Sequence, residues 1–585
     1  MLNKYSSMVL INFFSALIFF LLITVYIFWK RKKINYLLIL LLCSLIPLWS
    51  IFRPGVYESG DLTLHIVHAM SFYSSLTTGI LFPQWAANLN ATYGYPAFIF
   101  SYPLPYYLIS LIHLGGLSFI LSIKVLIALS FIISGLTIYL WIKKELGAKA
   151  GLIAGIFYLY APYHLIDMNF RTDIGELIMI TLLPLYFLFL KTYSQTYSKK
   201  HYCLISFIFC LLILSHIELT FITIPLIILY SIYLWYTAKK RNKYFFIMLF
   251  LSIFSGLLLS LFYWLPALNE IQNTNQTIYS SIVFPNITSL FYSPWRWGFL
   301  YQGHYGELSP LIGYAQIFTF VIFIIYCFKK RFTKNQKYLS YFLFVIFCIY
   351  FFMLLSISYP VWKFFPMLSH LQFAYRVLLP VNIITSFMAA LVLSKFKTQW
   401  IIIICSLTIF ITILNWGNRG MISNVTDSSL TQTASLTTSK GLNIYQAIPI
   451  WVDAKHPWID KIPNQHIEIL SGKGVIKELS YSILKHEYII NANTQMTIKE
   501  NTVYYPRWRL WVNNKIYSIQ YQTKKYPGII TFILPKGKYL VILNFVTTPV
   551  QIFSRIISLF TFVFLIFLLL IDSKLINAKV LNIFR

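Results

Sequence analysis

The chain has 585 residues, of which 58% are hydrophobic, 19% aromatic and only 11% charged, against roughly a quarter charged in an ordinary soluble domain. That composition cannot clothe several water-soluble domains in polar surface, so most of the chain must face lipid. The net charge of +30, from 47 Lys and Arg against 17 Asp and Glu, does not mark a nucleic-acid binder, because the cations sit in short clusters between apolar runs.

A spanning helix needs roughly 20 apolar residues to cross a hydrocarbon core of about 30 Å. About thirteen segments answer to that length, near 8–29, 34–52, 118–142, 150–166, 174–191, 202–216, 218–237, 244–265, 310–328, 338–358, 372–394, 399–416 and 551–571. They predict a polytopic α-helical membrane protein. The first run is too long for a signal-peptide core and has its positive cluster behind it, so it reads as a retained helix with the N-terminus outside. Threading from that start puts the basic clusters on the cytoplasmic side: Lys30-Arg31-Lys32-Lys33, Lys143-Lys144, Lys199-Lys200, Lys239-Lys240-Arg241, Lys329-Lys330-Arg331, Lys395 with Lys397, and the tail Lys574, Lys579 and Arg585. The positive charge therefore reports topology first and affinity for anionic membrane lipids second. The six cysteines all lie in apolar segments and read as small buried hydrophobes, with no disulfide framework or zinc site.

Acidic residues show the opposite bias. Before residue 420 only Glu145 falls on the cytoplasmic side, while Glu58, Asp61, Asp167, Asp173, Glu176, Glu218, Glu270 and Glu307 point outward. Carboxylates at membrane depth are costly and line polar cavities or sites. Three outward segments are long. The first, 53–117, lies within a multi-span membrane domain over 1–416 and holds a helical pattern near 61–80. It continues into the proline-broken run Tyr102-Pro103-Leu104-Pro105-Tyr106-Tyr107, which leads a re-entrant or interfacial helix. The second spans about 266–309. The third, 417–550, turns polar and predicts an extracytoplasmic small β-sandwich-like domain before the last span and cytoplasmic tail at 551–585. Two hairpins are expected in it: Trp508–Val512 with Ile516–Tyr521 about Asn513-Asn514, and Ile529–Leu534 with Tyr539–Phe545 about Pro535-Lys536-Gly537-Lys538.

On a helix, Asp61, His65 and His68 at i, i+4 and i+7 share one face. A carboxylate beside two imidazoles suits a general base or a divalent metal; the other reading is the wet face of an interfacial helix. Arg171 stands among Asp167, Asp173 and Glu176, either pinning a loop or serving a site. His216 with Glu218 occupies the next outward turn, where a lone histidine usually bonds locally. Arg376, just below the outer surface, needs an anion, which is either a phosphate or one of the surplus carboxylates. The tryptophans of Tyr504-Tyr505-Pro506-Arg507-Trp508-Arg509-Leu510-Trp511 read as sandwich core or interface.

Gly60-Asp61-Leu62 through His65, then Gly79-Ile80-Leu81-Phe82-Pro83-Gln84-Trp85, Tyr93-Gly94-Tyr95-Pro96 and Tyr102 to Tyr107, resemble the first-loop signature of bacterial membrane proteins named as related to 6-pyruvoyl-tetrahydropterin synthase. These are similar to C-type (GT-C) glycosyltransferases of the YfhO-like and oligosaccharyl or aminoarabinose transferase group. The resemblance continues through Arg171 to Glu176, His216 and Tyr375-Arg376, and on to Tyr505-Pro506-Arg507-Trp508 with Val512-Asn513-Asn514-Lys515. One helix more than the family pattern precedes the first loop. Pterin chemistry is not implied. The resemblance implies a GT-C-like fold, a polyprenyl-phosphate sugar donor, inversion at the anomeric carbon, and Asp61 at the reacting centre.

On that basis the expected activity is sugar transfer to a glycan or lipid acceptor on the outer face of the bacterial inner membrane. Asp61 would be catalytic and Arg376 would hold the donor phosphate, with His65, His68, Arg171, Glu176 and His216 shaping the chamber. A metal would fall to Asp61, His65 and His68. The rival is a transporter or flippase of lipid-linked sugars, which inverted repeats would favour; none is visible.

Overall fold

The computed structural model describes residues 2–30, 34–238, 241–275, 282–292, 310–369, 371–413, 421–422, 424–430, 447–452 and 462–583. Arg31, Lys32, Lys33, Lys239, Lys240, Glu307 and Arg585, named above, lie outside these residues.

Helices occupy all thirteen predicted segments, but six are long and apolar enough to cross a membrane. These are Phe119–Leu146, Ile174–Thr196, Ile217–Thr237, Lys334–Leu354, Ala374–Leu393 and Pro549–Ile571. A seventh is obtained if Phe245–Leu259 and Leu261–Asn273, bent by 67° at Ser260, count as one span. The remaining apolar helices are shorter, and local chemistry explains some of the shortening. The segment expected over 150–166 runs as a helix only over Ala148–Leu159. Pro162 then forces Ala161 into extended backbone, and a short helix Pro162–Ile166 leads into one π-helical turn, Asp167–Arg171. Pro47 likewise tightens the end of the second segment into a 3-10 turn over Ile46–Ser50.

The centre of the bundle is the Leu378–Leu393 helix, buried on every side, as expected of a helix apolar all round. It packs with Ala148–Leu159, Phe119–Leu146 and Tyr314–Phe328. The last span has the opposite character. Ile552, Phe553, Ile556, Leu559 and Phe560 are exposed, so this helix presents its apolar surface to lipid.

At one end of the bundle, segment 53–117 forms the helices Leu62–Thr77 and Leu104–Leu114, and its strand Val56–Tyr57 pairs antiparallel with Met421–Ile422. The C-terminal β-region has two antiparallel sheets. One holds Ile467–Ser471, Met496–Val503, Pro527–Leu534 and Gln520–Gln522 in that order. The other holds Gly474–Tyr481, Lys485–Ala492, Gly537–Phe545, Trp508–Val512 and Lys515–Tyr517. His486 Nδ1 reaches Glu500 at 2.8 Å between them.

The first expected hairpin is present in part: Trp508–Val512 pairs with Lys515–Tyr517, whereas Gln520–Gln522, at the end of the expected return strand, joins the other sheet beside Pro527–Leu534. Asn513 and Asn514 both take positive φ, 48° and 64°, the I′-type reversal that matches strand twist. The second expected hairpin is not. Pro527–Leu534 pairs with Met496–Val503, whereas Gly537–Phe545 pairs with Lys485–Ala492 and Trp508–Val512. The turn at Pro535-Lys536 crosses from one sheet to the other, because a run–turn–run pattern dictates a reversal but not which sheet receives the returning strand.

This region is seated on segment 53–117. Val503 N–H donates to the Tyr93 carbonyl at 2.9 Å. Trp85 meets Trp508 edge-on at 5.5 Å and Phe545 at 5.2 Å. A side chain at Gly94, whose φ is +69°, would overlap the Trp85 indole. Trp508 is fully buried, in keeping with its reading as a packing residue.

Candidate functional site

Two elements place the acidic centre. The π-helical turn ends at Thr172 in the left-handed region, which lets Asp173 leave the turn and start the next helix. Its carboxylate Oδ1 accepts from the backbone N–H groups of Gly175 and Glu176 at 3.1 and 3.2 Å, satisfying donors that a helix start leaves open. Gly60 N–H and Asp61 N–H donate to the Phe170 and Arg171 carbonyls at 2.7 and 2.9 Å, so the first-loop motif is fastened to the same turn.

Arg171 lies inside, with NH1 2.8 Å from Glu176 Oε1 and NH2 3.0 Å from Asp173 Oδ2. Asp167 stands 4.0 Å away. Arg376 approaches from the helix opposite, Nε 3.2 Å from Glu176 Oε1 and NH2 3.6 Å from Asp173 Oδ2. Its NH1 contacts His216 Nε2 at 2.7 Å. A guanidinium can only donate, so that nitrogen accepts and His216 Nδ1 carries the hydrogen facing Glu218 Oε2 at 3.1 Å. Tyrosines close the shell. Tyr163 OH donates to Glu176 Oε2 at 2.6 Å, Tyr102 OH donates to Asp173 Oδ1 at 2.8 Å, and the Tyr102 ring stacks on His216.

Burial alone would raise the Asp173 carboxyl, but Arg171 and Arg376 hold it well below the usual carboxylate range. Asp167 goes the other way: burial pushes it up, Glu176 adds to that, and Arg171 only partly offsets both. Of the two readings of Arg376, a phosphate or a carboxylate partner, the structure provides the carboxylates. Helix packing at this point is tight. A methyl group at Gly175 would overlap the Ser215 carbonyl and the Tyr102 ring. Gly175→Ala is therefore expected to destabilise the protein by about 1–3 kcal/mol, the usual cost of overpacking, as a lowered thermal midpoint in detergent.

One helical turn away, His65 and His68 share Tyr106, whose hydroxyl lies 3.1 and 3.2 Å from their Nδ1 atoms. His68 Nε2 contacts Tyr95 OH at 2.6 Å, which leaves both ring nitrogens of His68 on tyrosine hydroxyls. Burial drives the His68 pKa down to about 3, and burial also lowers that of His65 against the pull of Asp61. Asp61 itself is half-buried, and its carboxylate accepts no hydrogen bond among the described residues. Burial raises its pKa, although His65 and Arg171 pull it back. Such a carboxylate is unengaged and more basic than usual, and it stands within the field of two arginines.

The structure thus gathers Arg171, Glu176, His216 and Arg376 into one network, sets Asp61 at its edge, and joins His65 and His68 through Tyr106. Asp173, the hub, was noted in the sequence as a neighbour of Arg171 but not as a centre; its place directly before an apolar helix was the available signal. Tyr163 and Tyr95 carry no signal in the sequence that marks them as partners of these groups. Among the described residues, the one set of donor atoms close enough to hold a metal is Asp173, Glu176 and His216, all within 4.8 Å of one another. Arg171 and Arg376 already fill the cationic positions against these carboxylates.

The profile of the family described as "6-pyruvoyl-tetrahydropterin synthase related domain; membrane protein" matches residues 99–421. A relative from Lactococcus lactis subsp. cremoris (strain MG1363), described as an uncharacterized protein, is 26% identical over 326 residues, 53% of this chain and 52% of the relative. The chain therefore spans about half the length of the curated relative it matches. Among solved structures, the mycobacterial arabinofuranosyltransferase AftD aligns with a TM-score of 0.41 at 13% identity, over 72% of this chain and 28% of that one. A mutant of the same enzyme aligns with a TM-score of 0.39 at 13% identity, over 72% and 29%. With its apolar spans and a family match over more than half its length, the chain belongs to the 6-pyruvoyl-tetrahydropterin synthase related family of membrane proteins.

Proposed function

We propose that this protein is a GT-C-type glycosyltransferase of the bacterial inner membrane, moving a sugar from a polyprenyl-phosphate-linked donor to a cell-envelope glycan or lipid on the outer face. One observation carries the reading: Asp61 keeps a carboxylate without a hydrogen bond among the described residues, made more basic by burial, at the edge of an otherwise saturated polar network. The first-loop resemblance, centred on the same residue, supports it. The acceptor hydroxyl gives its proton to Asp61 as its oxygen bonds the anomeric carbon. The bond from that carbon to the phosphate oxygen breaks, and polyprenyl phosphate leaves with the electron pair, inverting the centre. Arg171, Glu176, His216 and Arg376 hold the chamber's shape and charge, and His65 and His68 fix its wall through Tyr106.

Two measurements test this. Deleting the gene should remove a sugar from an envelope glycan or lipid and accumulate the polyprenyl-linked donor. Unaltered glycans with donor trapped on the inner leaflet would overturn transfer in favour of transport. Reporter cysteines near 430 and 515 should react with an impermeant reagent from outside and one near 580 should not. The reverse pattern would place the site on the wrong face.

A further inference from the structure

Both arginines at the acidic centre already face carboxylates. A second pair of guanidiniums lies where the sandwich meets the last span. Arg507, in the Tyr505-Pro506-Arg507-Trp508 turn, is buried over the Phe545 ring at 4.1 Å. Its Nε donates to the Val546 carbonyl at 2.8 Å, yet its NH1 is buried with no acceptor among the described residues. Arg555, in the first turns of the last span, sits 4.7 Å over the Phe82 ring and makes no hydrogen bond or ion pair among the described residues. The two cations are close enough to repel one another. Glu270 is the carboxylate within electrostatic reach of Arg507, and its oxygens are already taken by Tyr505 OH at 3.0 Å and Gln551 Nε2 at 3.2 Å. Two under-compensated guanidiniums favour an anion with several oxygens.

The apolar counterpart lies beside them. Phe82, under Arg555, also lines a cleft of about 350 Å³ with Phe72, Phe98, Phe262, Tyr263 and Pro266. The cleft lies against the bent helix pair, and its wall residue Phe98 packs edge-on against His68 at 5.9 Å. On the other side of Arg555, the last span shows lipid its apolar face, through which a long-chain lipid can enter sideways.

We propose that Arg507 and Arg555 form the receptor for the phosphate of an isoprenoid phosphate, with the first isoprene units in the Phe82–Phe262 cleft. The assignment rests on the transfer reading above and locates its donor. It gives the Arg507 turn, part of the resemblance to the family, a role in binding.

The test uses the purified full-length protein in phosphatidylcholine nanodiscs and compares its affinity for undecaprenyl phosphate and for undecaprenol, which lacks the phosphate. The wild type should prefer the phosphate. Arg555→Ala and Arg555→Gln should reduce that preference by at least about tenfold, the size of a lost charge-assisted hydrogen bond, with the thermal midpoint unchanged. Preference retained in both Arg555 variants overturns the subsite but leaves transfer standing. Equal competition by phosphatidylglycerol overturns it in favour of a general headgroup contact. No preference in the wild type overturns the subsite, and envelope glycans unchanged by gene deletion would separately overturn transfer.

Discussion

Asp61→Asn is expected to fold like the parent and to lose sugar transfer by roughly 10²–10⁴-fold, the usual contribution of a positioned proton acceptor. The amide keeps the size and the backbone bond to Arg171 but cannot take the acceptor's proton. The base works only when ionised, and burial raises its pKa in the folded protein. Transfer should therefore rise with pH through a midpoint above the ordinary carboxylate range, and this limb should vanish in the variant. Transfer of a labelled sugar by purified protein is the measurement, and full activity in a folded variant would end the assignment. His65→Ala and His68→Ala should cost less, since both rings mainly support the wall through Tyr106. Losses as large as that of Asp61→Asn, repaired by added divalent metal, would make the three residues a metal site instead.

Arg171→Ala is expected to be the most destabilising change in the membrane region, by about 3–5 kcal/mol, the cost of removing one partner from a buried ion pair. The loss leaves Glu176 and Asp173, both buried, without the closer of their two counter-charges. Arg376→Ala should cost less, because its side chain is 15% exposed against 7% for Arg171, and Arg171 remains to neutralise the same two carboxylates. Thermal unfolding in detergent gives the order. An Arg171→Ala protein as stable as wild type would mean the carboxylates are protonated, and the ion network would then be a set of neutral hydrogen bonds.

Much of this was legible because local chemistry decided it. Apolar length located the helices, and Asn513-Asn514 specified its turn. The run from Asp167 to Glu176 announced a charged centre, since acids so close to an apolar segment need partners. What stayed hidden depended on distant chain. Arg376 admitted two partners until the opposing helix was placed, and the His68 nitrogens looked free until Tyr95 and Tyr106 came round from the Tyr-rich part of the loop. The strand after Pro535 changed sheets for reasons of sandwich topology rather than turn sequence. Helix length failed where proline intervened, as at Pro162, because hydropathy sums over a window in which one missing N–H has no weight.

The contact between Trp85 and the Trp508 sheet also bears on how the protein is made. A ribosome delivers Trp85 early and Trp508 almost last, so segment 53–117 waits for most of the chain before its indole is covered and Tyr93 meets the Val503 amide. Pairings this remote in sequence are slow to form and leave apolar surface open meanwhile. A chain halted before the C-terminal sheets would carry its early helices with Trp85 bare.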